Sequence, residues 1–237
     1  MDLSSINGIE FSPVIREDVL QDFKLHCRDS YEGVGKLFAI NNRLDKLLMS
    51  KVVGDSFTKE YVTRLMNIRV ADHYVSSLLL VSQGFIVDAI SLLRASLEDL
   101  LVMINFEIYE GFFEAWEKDE DNFKIYVAKL RENVNNSSMF TDEDKEFFEK
   151  VYKGLCEIVH PKMSSIRTMA SYHTRMRNTD VEKLIKYSNM VLVSYYTYQY
   201  QLCNFLSKVY SQDEEEILAI KATIADEINI NTLLDKF

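Results

Sequence analysis

Four histidines, His26, His73, His160 and His173, and the charged groups that could act with them are the material from which chemistry must be built here. Glu157 and His160 stand three positions apart, the spacing with which a carboxylate and an imidazole point together into a helical bundle to hold iron. Such a two-metal site needs a second pair, and none of the other histidines has an acid three positions before it, so no metal and no cofactor are expected. On a helical wheel Arg94, Glu98 and Asn105 fall within roughly 40° of one another, with Gln83 and Ser91 alongside. If that stripe faces water, Arg94 and Glu98 form an i,i+4 ion pair worth a few tenths of a kcal/mol. If it turns inward, the two are held as a unit because neither charge is buried alone. Between His160 and Asn178 the chain carries Lys162, Arg167, Arg175 and Arg177 and no acid, a composition suited to phosphate. His-Glu-x-x-His, Gly-x-Ser-x-Gly and phosphate-loop motifs are absent. His26 and His73 are expected as buried structural residues.

The elements that must position these groups are helices. In 237 residues there are only seven glycines and two prolines, too few for dinucleotide-binding loops or a many-turned β architecture. With 27 Lys plus Arg against 37 Asp plus Glu the net charge is −10, the wrong sign for coating nucleic acid or an anionic membrane with the whole surface, though a local basic patch is compatible with it. Cys27, Cys156 and Cys203 are odd in number and far apart, which argues against a disulfide framework or zinc knuckle and for a reducing cytoplasm. Met1 to Glu10 has neither a basic nor an apolar leader region, so no signal peptide is expected.

Along the chain, Ser12-Pro13 reads as a helix start, followed by apolar periodicity through Val19, Phe23 and Leu37 to Leu48, either one long helix or two in tandem with Gly33 and Gly35 as the candidate break. Gly54-Asp55-Ser56 is a turn, and a second helix runs to about Gln83. The strongly apolar run from Phe85 to Phe106 reads as the central, most buried helix. Residues 107–149 carry 13 acids against five Lys and Arg, with Asn133 to Ser138 as a loop. Thr141 with Asp144, and Thr179 with Glu182, open helices as capping boxes, and Pro161 closes the first of these. Tyr187 to Ser207 is 21 residues without a charge, but eight Ser, Thr, Asn and Gln side chains within it argue for a buried helix and against a membrane span. Val191 to Tyr200 has high β propensity, and the longer helical period is expected to override it. The expected architecture is all-α, a single bundle of about six to eight helices over residues 1–237, ending in an acidic helix within 211–237.

Ser91-Leu92-Leu93-Arg94-Ala95-Ser96-Leu97-Glu98, on a helix preceded by Gln83-Gly84-Phe85, together with Leu155-Cys156-Glu157-Ile158-Val159-His160-Pro161, resembles HEPN-type helical domains and a group of bacterial helical proteins related to them. The resemblance covers about residues 60–210. It implies a metal-independent RNA-cleaving site, built from an arginine, four to six intervening residues and then a histidine, at a dimer interface, in toxin–antitoxin or phage-defence systems. It therefore implies RNA, an antitoxin or defence component, and a second copy of the chain as partners. Arg167 and His173, with five residues between them, satisfy the spacing literally, whereas His160 before Pro161 fits the helix-end context, with Leu155, Gly154 and Lys153 standing where the arginine would stand with four, five or six residues intervening. Histidine would transfer protons, arginine would stabilise the phosphate, and Arg94 with Glu98 would shape the pocket. Lys162, Arg175, Arg177 and Asn105 would contact the substrate. The alternative is a non-catalytic helical module that binds a protein or nucleotide.

Overall fold

In the computed structural model, residues 5–6, 9–10, 17–54, 57–118, 127–159 and 181–228 are described. A short antiparallel pair, β1 (Ser5–Ile6) and β2 (Ile9–Glu10), precedes the helices. Nine α-helices follow among the described residues: α1 (Glu17–His26), α2 (Arg28–Lys51), α3 (Lys59–Ser82), α4 (Ile86–Ile108), α5 (Phe112–Glu117), α6 (Val127–Asn136), α7 (Asp142–Val159), α8 (Val181–Val209) and α9 (Glu214–Glu227). The fold is an all-α bundle with one continuous hydrophobic core fed by all nine. No helix among the described residues is long and apolar enough to cross a membrane.

The first break lies at Cys27, between α1 and α2, and not at the glycines. Gly33 and Gly35 sit inside α2, for different reasons. A Cβ on Gly33 would come within 2.8 and 2.9 Å of the Leu192 methyls on α8, so the missing side chain sets how closely α2 and α8 approach. Gly35 faces open space. At the end of α3, Gly84 takes φ 85°, and the amides of Gly84 and Phe85 bond back to Val81 and Leu80 at 2.9 and 2.8 Å. This Schellman cap turns the chain so that α4 packs against α3.

Three other boundaries bear on the site. Asn133 to Asn136, expected in a loop, form the last turn of α6, because Leu130 and Val134 bury one face of that segment against the core. Thr141 opens α7 as expected: its hydroxyl accepts from the Asp144 amide at 3.2 Å while the Asp144 carboxylate accepts from the Thr141 amide at 3.3 Å. Ser12, Pro13 and Thr179 lie outside the described residues.

The central helix is α8 and not α4. Every residue from Tyr187 to Gln199 and from Gln201 to Ser207 is buried, with α1, α2, α3, α4, α7 and α9 packed around them. Apolar density misplaces the centre because α8 buries most of its polar groups with partners, Tyr195 Oη and Gln199 Oε1 being exceptions among the described residues. Tyr74 donates to the Ser194 carbonyl at 3.0 Å, Tyr198 to Asn67 Oδ1 at 3.0 Å, and Gln199 to the Leu37 carbonyl at 2.7 Å. The Ser30 hydroxyl donates to Asn189 at 2.7 Å, and Gln201 donates to the Asp144 carbonyl at 3.0 Å. Tyr74 stacks on Tyr195 with ring centroids 4.3 Å apart. At the far end of α4, Phe106 gathers Phe112, Phe113 and Trp116 of α5 around itself.

Gly35→Ala should raise stability by up to about 1 kcal/mol through helix propensity, whereas Gly33→Val should lower it by about 1–3 kcal/mol by forcing Leu192 aside, both read from urea midpoints. Burial disfavours the phenolate and raises the pKa of Tyr74, Tyr195 and Tyr198, and that of Tyr196 to about 12. Their unfolded value is near 10, so the folded state holds these protons longer than the unfolded chain does. Stability should therefore be unaffected by these groups below pH ~10 and fall progressively above it. Tyrosinate absorbance should appear together with loss of helical circular dichroism.

Candidate functional site

The polar stripe on α4 faces its neighbours α6 and α7. Leu93 and Leu97, fully buried, fix the rotation of α4, and the stripe between them and the solvent is left half-covered. Arg94 and Glu98 are 25% and 26% exposed at their side chains, and Arg94 Nε donates to Glu98 Oε1 at 2.7 Å. The same carboxylate oxygen accepts the Tyr152 hydroxyl from α7 at 2.8 Å. Over the Tyr152 ring lies the Arg131 guanidinium of α6, 4.8 Å from its centroid. Arg131 in turn grips Glu149 through both Nε, at 2.8 Å, and Nη2. The Lys153 ammonium stands 3.7 Å from Glu149. Two arginines, two glutamates and one tyrosine thus link three helices.

The electrostatics follow from half-burial. For Arg94, loss of water opposes the charge, and the bonds to Glu98 and Tyr152 more than offset it, leaving its ionisation raised. Burial, and then the hydrogen bond to anionic Glu98, push Tyr152 well above the usual phenol range. Tyr152 is therefore a fixed donor at neutral pH. Arg131 is raised chiefly by its hydrogen bond to Glu149.

Asn105, at the far end of the stripe, is fully buried. Its amide donates to the Leu101 and Leu130 carbonyls at 2.8 and 3.2 Å, and its Oδ1 accepts from Asn133 at 2.8 Å. It pins α6 to α4, and its amide and its carbonyl oxygen are both engaged in these bonds. His160, Arg167, His173, Lys162, Arg175 and Arg177 lie outside the described residues. Glu157 is exposed, and no group of three His, Cys, Asp or Glu side chains able to hold a metal occurs among the described residues.

A second polar cluster spans α3 and α4. Ser96 Oγ stands 3.3 Å from His73 Nδ1, and Asp99 pairs with Arg69 through two bonds, one of them 3.0 Å. Burial lowers His73, against a smaller opposing effect of Asp99, and so keeps the imidazole neutral at pH 7. Serine, histidine and aspartate together suggest a hydrolase, but Ser96 is fully buried and gives its proton to the Leu92 carbonyl at 2.9 Å. Asp99 is committed to Arg69, so this cluster orders α3 against α4. His26, expected inside, is exposed on α1, and His73 is half-buried.

Arg131, Glu149 and Tyr152 were not singled out by sequence reasoning. The spacing of Glu149 and Tyr152 puts them on one face of α7, but their partners come from other helices, and one chain's periodicity does not reveal that pairing. No family model, curated protein or solved structure matches the chain.

Tyr152→Phe keeps the ring under Arg131 and removes only the bond to Glu98; it should cost about 0.5–1.5 kcal/mol. Glu98→Ala strands Arg94 and the Tyr152 hydroxyl together and should cost about 1–3 kcal/mol. A double-mutant cycle on urea melts reads the coupling.

Proposed function

We propose that this chain is a HEPN-like helical protein that binds single-stranded RNA and cleaves it without a metal. The observation that carries the reading is the half-buried Arg94–Glu98–Tyr152 cluster and its place relative to the end of α7. Tyr152 meets Glu98, and Phe148 shares a small hollow with Leu100, Leu101 and Ile104, so α7 runs antiparallel to α4. Val159, about two turns beyond Tyr152, therefore leaves α7 near the level of Ser91, about one turn from Arg94. The next residue is His160, and the acid-free stretch with Lys162, Arg167, His173, Arg175 and Arg177 follows. In the sequence the strongly basic run therefore begins next to Val159, a point beside the α4 stripe.

In this reading a histidine, His160 or His173, accepts the proton of a ribose 2′-hydroxyl. The 2′ oxygen attacks phosphorus, and the bond from phosphorus to the 5′ oxygen breaks. The departing oxygen takes a proton from the imidazolium or from water, leaving a 2′,3′-cyclic phosphate and a 5′-hydroxyl. Arginine stabilises the charge gathering on the phosphate. A second copy of the chain, an antitoxin or defence component as partner, a phage-defence or toxin–antitoxin setting and a cytoplasmic location belong to the same proposal.

One observation favours a second reading, a non-catalytic module that binds a protein or nucleotide. The Arg94 guanidinium is already neutralised by Glu98, so a phosphate would have to displace a carboxylate to reach it.

Incubating purified protein with a mixed RNA pool in EDTA should give fragments ending in 2′,3′-cyclic phosphate, and cleavage should vanish in one of His160→Ala and His173→Ala with the melting temperature unchanged. Binding should weaken steeply with salt as phosphates release counterions. Folded protein that neither cleaves nor shows salt-dependent binding would leave the module reading standing.

A further inference from the structure

A hollow of about 490 Å³ lies between α1, the start of α2 and the end of α3, within the ~300–1,000 Å³ usual for small-molecule pockets. Its walls are Leu20 and Phe23 of α1, Tyr31 of α2, and Val75, Leu78 and Leu79 of α3. Tyr31, Leu79 and Val75 are 62%, 60% and 36% exposed. Single exposed apolar residues are ordinary, but these three border the same concavity.

On the α2 and α3 walls the polar groups, Arg28 and Ser82, sit at one end. Arg64 pairs with Asp45 at 2.9 and 3.2 Å, which fixes α2 and α3 in an antiparallel register that brings Arg28 level with Ser82. Lys24 lies about one turn before Arg28, across the Cys27 break. From Ser82 to Val75 the hollow extends about 10 Å along α3. Lys24 has no carboxylate partner among the described residues. Among the described residues Arg28 pairs with Glu32 alone, at 2.6 Å, with side chains 77% and 52% exposed, a pairing that water screens and a ligand can displace.

An apolar trough along α3 with Arg28 at its Ser82 end and Lys24 about one turn away matches a molecule with a hydrocarbon body and one anionic head. We propose that this hollow binds a single-chain amphipathic carboxylate, a medium-length fatty acid, with its hydrocarbon along Phe23, Val75 and Leu79 and its carboxylate between Lys24 and Arg28. A neutral hydrocarbon would leave the cations unused. A nucleotide would leave its ribose hydroxyls facing leucine and valine. The inference concerns a different part of the molecule from the RNA reading and stands or falls separately.

The test is calorimetric titration of the full chain with decanoate below its micelle-forming concentration, beside uncharged decanamide. Decanoate should bind saturably, one per chain. Leu79→Asp and Val75→Trp, both at exposed positions that leave the core intact, should each weaken it at least tenfold without changing the melting curve. Lys24→Glu with Arg28→Glu should bring decanoate down to the affinity of decanamide. Absence of saturable binding, equal binding of decanamide by the unmodified chain, or binding untouched by Leu79→Asp and Val75→Trp would overturn the proposal.

Discussion

Burying α8 governs the rest of this molecule. The helix takes Ser188, Asn189, Ser194, Thr197, Gln199, Gln201, Asn204 and Ser207 out of water, and an unpaired polar group in that position costs about 1–3 kcal/mol. The surrounding helices are therefore chosen for donors and acceptors as much as for shape. Asn67, Tyr74 and the Leu37 carbonyl face α8 from α3 and α2, and the Asp144 carbonyl reaches it from α7. Thr197 and Ser207 satisfy themselves on their own helix, at 2.7 Å to Val193 and 2.9 Å to Asn204. A sliding neighbour would break several of these bonds at once, so the register of α2, α3 and α7 is fixed from the centre outward.

That requirement explains what could be read in the sequence and what could not. Helix type follows from local pattern, so the spans of α3, α4 and α7 and the Thr141 cap are legible from periodicity and capping alone. The centre of the bundle is not, because a hydropathy reading counts a buried glutamine as a surface residue and its partner, a backbone carbonyl, carries no sequence signature. Gly33 misleads for a related reason: it looks like a helix breaker, and its real constraint is the Leu192 side chain on a distant helix. In the candidate site, Arg94 with Glu98 was visible as an i,i+4 pair, but the choice between a solvated and an inward stripe depends on Tyr152 and Arg131, which only tertiary packing brings near.

The α4–α6–α7 cluster illustrates how half-burial shapes charge. Each arginine is neutralised by one glutamate, and the tyrosine between them bonds one pair while lying under the guanidinium of the other. The arrangement carries no net charge from its four ionised groups, so it sits at the edge of the core without the cost of a lone buried ion.

The aromatic residues are unevenly divided, and that separates two optical signals. Trp116, the only tryptophan, packs edge-on to Phe106 at 5.3 Å on short α5, at the periphery, while the stacked tyrosines lie at the centre around α8. Indole emission therefore watches the docking of one small helix, whereas phenol signals watch the bundle itself. Fraying of α5 ahead of the remainder would make the two traces diverge, and a denaturation curve followed by tryptophan alone would describe a local event in place of the global one.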